Sequence, residues 1–131
     1  MELGFVVDTI ISSPLVRAFD TAKIVADIIG YNKEIIIDDR IIEYDMGSLT
    51  GTPLHNISSK MLINAKNSEN TKDFANRVRS FLNDWSKTNE DILIVSHAGV
   101  GRIIESMRQN GDLELFYDLP AYPNASVIKL D

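Results

Sequence analysis

The stretch Asp91-Ile-Leu-Ile-Val-Ser-His-Ala-Gly-Val-Gly-Arg102 constrains the fold of this chain more than any other. Leu93, Ile94 and Val95 are apolar β-formers that run without alternation into Ser96 and His97, the pattern of a strand buried on both faces. The small residues Ala98, Gly99 and Gly101 follow at once, and then a helical apolar pattern through Ile103, Ile104 and Met107. This order predicts a parallel strand handing over to a helix, with His97 at the carboxyl end of the sheet, where open α/β folds bind ligands. The N–H groups that open such a helix favour an anion at the same place. A lone histidine beside apolar residues is by default a satisfied core group, so the other segments must decide its role.

The remaining segments extend the same alternation. Thr9 to Ser12 reads as a short buried strand, and Ser13-Pro14 as a helix start, with serine as N-cap and proline at the first helical position. Leu15, Ala18, Ala22, Val25, Ala26 and Ile29 then recur at helical spacing until Gly30 stops the helix. Arg17 falls in the first turn, where a cation opposes the helix dipole and a purely structural sequence would favour an acid. Glu34 to Asp38 is an edge or second strand. Glu43 and Asp45 precede a glycine in a segment without helical period, which predicts a functional loop; the plainer alternative is two solvated surface acids. A short helix is expected around Ile57 to Ala65, in a polar region where His55 has no obvious partner. A longer one starts with Thr71 as N-cap and buries Phe74, Val78, Phe81, Leu82 and Trp85, a stripe that reads as core. Asn110-Gly111 is a stop, Leu113 to Tyr122 a short irregular or helical piece, and Ala125 to Asp131 a last strand. Strands alternating with helices predict an α/β fold with a mostly parallel sheet flanked by helices.

Composition limits the function. A chain of 131 residues is long enough for one domain with a real core and too short for two ordinary ones. The net charge of −6 argues against nucleic acid as the main partner. There is no cysteine, which removes thiolate catalysis, disulfides and cysteine metal sites. The start has no basic n-region and no segment has the apolar length of a membrane span, so a cytoplasmic location and no membrane partner are expected.

Three segments together resemble a known family. Ser12-Ser-Pro-Leu-Val-Arg-Ala-Phe-Asp-Thr-Ala22 resembles the SSPLxRAxxTA motif of the histidine phosphatase superfamily, whose namesake group is the cofactor-dependent phosphoglycerate mutases. Ile42-Glu-Tyr-Asp-Met-Gly-Ser-Leu-Thr-Gly51 is similar to that family's acid loop, and Val95-Ser-His-Ala-Gly-Val-Gly-Arg-Ile-Ile104 to its second-histidine motif. Glu69 and Arg77 resemble its E…R pattern, and Pro123-Asn124 its C-terminal turn. The resemblance implies a phosphoglycerate mutase-like fold and a phosphorylated small-molecule ligand, with no metal, nucleotide or other cofactor. It also implies roles: His97 as the second histidine, donating to the transferring phosphoryl oxygens, and Arg17 as a phosphate-clamping arginine. Glu43 would be the general acid for the leaving oxygen, and the backbone N–H of Ala98 a further phosphate contact.

One departure stands beside these matches. The family's nucleophilic histidine lies in an Arg-His-Gly motif at the end of a first, central strand, and becomes phosphohistidine. This sequence has no Arg-His-Gly, and its two histidines are His55 and His97. The expectation is therefore a single truncated domain over residues 1–131, corresponding to the carboxyl-terminal majority of the family domain. Natural truncation, a decayed reading frame, a start codon assigned too late or an expressed fragment would each produce it. The absent strand would lie between the His97 strand and the last strand. Closure of the remaining strands, folding back of residues 2–7, or a homodimer would cover the gap. Mutase, phosphatase and a non-catalytic protein that binds a phosphorylated ligand or a protein partner all remain open. Leu49-Thr-Gly51 is mutase-like, whereas the Ser-Ser-Pro-Leu and Val-Ser-His-Ala forms and the short span between Glu43 and His97 are phosphatase-like.

Overall fold

The computed structural model describes residues 6–53, 56–120 and 130. The expected last strand, the turn at Pro123-Asn124, the beginning of the chain before Val6, and His55 lie outside the described residues. The chain divides into two compact units, Met1–Glu43 with Arg79–His97, and Tyr44–Val78 with Ala98–Asp131.

The first unit is built on a three-stranded parallel sheet. β1 (Thr9–Ser12) lies between β2 (Ile36–Ile37) and β3 (Ile92–Val95). All four residues of β1 are buried, and Ile10 and Ile11 are fully so, which contributes about 1.5–3 kcal/mol for each side chain. α1 (Val16–Ile29) covers β1 with Ala18, Ala22 and Ala26, small residues four apart that let the helix lie close to the strand. Gly30 ends it at φ 74°, returning its N–H to the carbonyls of Ala26 and Asp27. Two details differ from the sequence expectation. α1 begins at Val16 and not at Pro14, with Leu15 at the cap position and no side-chain cap; the Ser13 hydroxyl is engaged elsewhere. β3 is half-buried along its whole length, not buried on both faces, because β1 is its only partner strand among the described residues.

Arg40, in a 3₁₀ turn after β2 (Asp39–Ile41), ties this part of the chain to the end of α3 (Thr71–Ser86). It donates to both Asp38 carboxylate oxygens at 3.1 and 2.8 Å, to Asp84 at 2.7 Å and to Ser80 at 3.0 Å. Its guanidinium also lies 5.6 Å from the centre of the Phe81 ring.

The second unit contains α2 (Ser59–Asn64), residues 71–78 of α3, α4 (Ala98–Arg108) and a 3₁₀ segment (Leu113–Asp118). Its centre is aromatic. Tyr44, Phe74 and Phe116 meet with ring centroids 5.1–5.3 Å apart in edge-on or tilted pairs, and Tyr117 packs edge-on against Phe116. Ser59 and Asp118 close a reciprocal pair, each backbone N–H donating to the other's side chain. α3 is capped by Asn70, whose side-chain oxygen accepts from the N–H groups of Lys72 and Asp73, one residue before the expected cap at Thr71. Phe74, Val78 and Phe81 are buried as the periodicity predicts, while Leu82 and Trp85 are only partly covered. Asn110, at φ 53°, ends α4, and Gly111 returns its N–H to Ser106.

Candidate active site

The site residues of the first unit are set by strand register. β1 and β3 run parallel with Ser12 opposite Val95, so the residues that follow each strand emerge side by side at the carboxyl end of the sheet. The Ser13 N–H extends the ladder by donating to the Val95 carbonyl at 2.9 Å. His97, two residues beyond Val95, then meets the start of the other segment: its Nε2 lies 2.7 Å from Ser13 Oγ. Ser13 is fully buried and His97 is partly exposed. A second hydroxyl does similar work on the acid loop. Ser96 Oγ donates to the carbonyl of Ile41 at 2.7 Å, which fixes the chain two residues before Glu43 at the end of β3.

Arg17 stands in the first turn of α1, four residues after Ser13, and its side chain is exposed. It makes no side-chain hydrogen bond or ion pair among the described residues, unlike Arg40. Arg17, Glu43 and His97 thus all belong to the first unit, with Arg17 and His97 following the same end of adjacent strands. Glu43 is partly buried. Ala98, covalently next to His97, is exposed and opens α4.

The two acids of the loop separate by role. Asp45 shapes a turn: its carboxylate accepts from the Gly47 N–H at 2.9 Å. Its backbone exchanges bonds with Glu69, donating to Glu69 Oε1 at 3.2 Å and accepting from the Glu69 N–H at 2.8 Å. The Tyr44 hydroxyl donates to the Glu69 carbonyl, and burial pushes that phenol above its usual range. Arg77 holds Glu69 from the other side through Nε and Nη2 at 2.8 and 2.9 Å, stacked 4.6 Å from the Phe74 ring centre. The Glu69…Arg77 spacing seen in the sequence is therefore a buttress for the stretch that follows Glu43.

Sequence reasoning missed Ser13 and Ser96 as site residues. Their signal was available, since each is a serine placed directly after one of two paired strands.

Comparison with known proteins assigns the family. The pattern of the histidine phosphatase superfamily (branch 1) matches residues 3–131. The chain belongs to the histidine phosphatase superfamily. Phosphoserine phosphatase 1 of Hydrogenobacter thermophilus is 30% identical over 124 residues, which cover 84% of this chain and 58% of that protein. This chain therefore spans less than two thirds of that relative's length. Among solved structures, mycobacterial glucosyl-3-phosphoglycerate phosphatase in complex with inorganic phosphate superposes with a TM-score of 0.71. That pair is 20% identical, and the match covers 92% of this chain and 67% of that one. A phosphoglycerate mutase from Bacillus anthracis gives a TM-score of 0.64 at 14% identity, covering 79% of this chain and 60% of that one. The fold of this histidine phosphatase family member is thus α/β and phosphoglycerate mutase-like. No described helix is long and apolar enough to cross a membrane.

Proposed function

We propose that residues 1–131 form the phosphate-binding and acid-bearing part of one histidine phosphatase domain, whose reaction is hydrolysis of a phosphomonoester. The observation that carries this reading is the in-register parallel pairing of β1 with β3, which sets the start of α1 and His97 at one end of the sheet. In the reaction a histidine nitrogen attacks phosphorus, the P–O ester bond breaks, and the leaving oxygen takes a proton. Water then hydrolyses the phosphohistidine. Arg17 clamps two phosphoryl oxygens with its guanidinium fork, as suits charge spread over the transferring group. His97 donates to another, with the N–H of Ala98 adding to the cradle. Glu43 supplies the proton to the leaving oxygen. Titration of the chain with inorganic phosphate tests the site. Arg17→Ala and His97→Ala are each expected to weaken binding about tenfold or more, since bonds to charged groups are worth about 1.5–3 kcal/mol. Unchanged phosphate affinity in both variants would sink the assignment.

The similarity to a phosphoserine phosphatase favours hydrolysis over mutase transfer. A second reading has its own support. The 131 residues contain no Arg-His-Gly and only His55 and His97 as histidines, which favours a non-catalytic binder of phosphorylated ligands when the chain acts alone. In either reading the partner is a phosphorylated small molecule in the cytoplasm, and a net charge of −6 disfavours nucleic acid. We also assign a homodimer, because β3 pairs on one edge only among the described residues and an apolar strand edge needs a partner. Sedimentation as a monomer across the micromolar range would refute it.

A further inference from the structure

We infer that Asn110 is a site of spontaneous modification: its side chain deamidates through a cyclic imide with the Gly111 nitrogen, and the last turn of α4 sets the rate. Asn110-Gly111 is the one Asn-Gly pair in the 131 residues, and glycine leaves the attacking nitrogen unshielded by a side chain. Both residues are exposed, and the Asn110 side-chain amide makes no hydrogen bond among the described residues. In the reaction the Gly111 nitrogen, having lost its proton to base, attacks the Asn110 Cγ. The bond from Cγ to the amide nitrogen breaks, and that nitrogen takes up a proton and leaves as ammonia. Water then opens the cyclic imide at either carbonyl, giving aspartate or isoaspartate. The balance needs water and base, and no oxidant or cofactor.

The fold decides when this can happen. The Asn110 N–H donates to the Met107 carbonyl at 3.2 Å and the Gly111 N–H to the Ser106 carbonyl at 2.9 Å, with Asn110 at φ 53°. These are the two bonds of a Schellman closure, with asparagine in the left-handed position that glycine usually fills. The nitrogen that must attack is therefore the one whose proton the cap holds. Deamidation waits for the last turn to fray, which helix ends do at far lower cost than global unfolding. Gly111 itself is not left-handed, so the cap does not demand glycine at the attacking position. An isoaspartate puts one more main-chain carbon between positions 110 and 111, so the same closure cannot be remade. The junction it loosens is tied nearby by Arg102, whose Nε donates to the Leu119 carbonyl at 3.1 Å and whose guanidinium lies 4.1 Å from the centre of the Tyr117 ring. None of this depends on the phosphate reading.

The test is incubation of the full chain at mildly alkaline pH, folded and in denaturing urea, with peptide mass spectrometry that separates aspartate from isoaspartate. Conversion is expected at Asn110 in both arms, and about threefold to tenfold slower in the folded one, the worth of the hydrogen bond that must open. Hydrogen exchange of the Gly111 N–H should be slowed by a similar factor. Gly111→Ala should slow conversion in both arms. In the folded chain its Cβ would meet the Ser106 Oγ at 3.3 Å and the Ser106 carbonyl oxygen at 3.6 Å, and the urea arm reads the chemistry whether or not the variant folds. A folded chain free of isoaspartate at 110 when the urea arm has converted would overturn the site. Equal rates in the two arms would overturn the control by the cap, and an unchanged rate in Gly111→Ala would overturn the cyclic imide.

Discussion

Gly47 shows how tightly the loop after Glu43 is constrained at the level of one residue. Its φ of 56° is in the left-handed region that side chains avoid, and a Cβ there would lie 2.3 Å from the Ser68 nitrogen and 2.4 Å from Lys66 O. Both obstacles are backbone, so no side-chain rotation can relieve them. The same contact surface is stitched by Ser48 N–H to the Lys66 carbonyl at 2.8 Å and by Lys66 N–H to Ser48 Oγ at 3.1 Å. Gly51 offers the control, with φ 89° and nothing within 4 Å of its Cβ position. Gly47→Ala is expected to cost about 2–4 kcal/mol, combining left-handed strain with overpacking. Gly51→Ala should cost only the strain, about 1–2 kcal/mol. Urea unfolding of the two variants checks this, and equal losses would show that the close approach at Gly47 contributes nothing.

Among elements, the Asp38–Arg40–Asp84 cluster makes the turn after β2 depend on the end of α3. The Asp38 carboxylate is held below its usual 3.8 first by its side-chain bonds to Arg40, against the opposing effect of burial. A carboxyl depressed on folding contributes stability that is present above its unfolded value, and that contribution is lost as pH falls through the lower folded value. Asp38→Asn should therefore destabilise the chain by about 1–2 kcal/mol at neutral pH, with the difference from the unsubstituted protein fading as pH falls through the lowered folded-state value of Asp38. A difference that persists unchanged at low pH would mean that the carboxylate charge is not what Arg40 holds. This cluster was not visible in the sequence, because 44 positions separate Arg40 from Asp84 and charges carry no periodicity. The legible parts were those whose cause is local. The branched run of β1, the alanine face of α1 and the stop at Gly30 were readable, as were the Phe74, Val78 and Phe81 stripe and the strand-to-helix handover at His97. What misled was also local. Ser13-Pro14 has the signature of a helix start, and only the neighbouring strand, which delivers His97 to the same place, diverts the hydroxyl from capping. Asp45 could have been separated from Glu43 by its Asp-x-Gly spacing, a turn former's pattern.

For the whole molecule, the question is what a chain spanning 58% of a phosphatase relative can do by itself. The family reaction passes through a covalent phosphohistidine, and the Arg-His-Gly motif that forms it has no counterpart in these 131 residues. In the proposed assignment Arg17, Glu43 and His97 would supply charge, a proton and a donor, but none of these splits the reaction into two easier steps. Groups that act as a unit are strongly non-additive: without the nucleophile, the rest lose most of their effect on rate, while electrostatic stabilisation and binding remain. His97 is a poor substitute, since its Nε2 is already engaged with the buried Ser13 hydroxyl at 2.7 Å. The 131-residue chain incubated with p-nitrophenyl phosphate should therefore show turnover indistinguishable from buffer and no acid-labile phosphoprotein, while still binding inorganic phosphate. Fusing a strand that ends in Arg-His-Gly ahead of β1 should raise turnover by several orders of magnitude. Robust turnover of the unfused chain that disappears in His97→Ala would refute this division of labour, and would make His97 itself the group that attacks phosphorus.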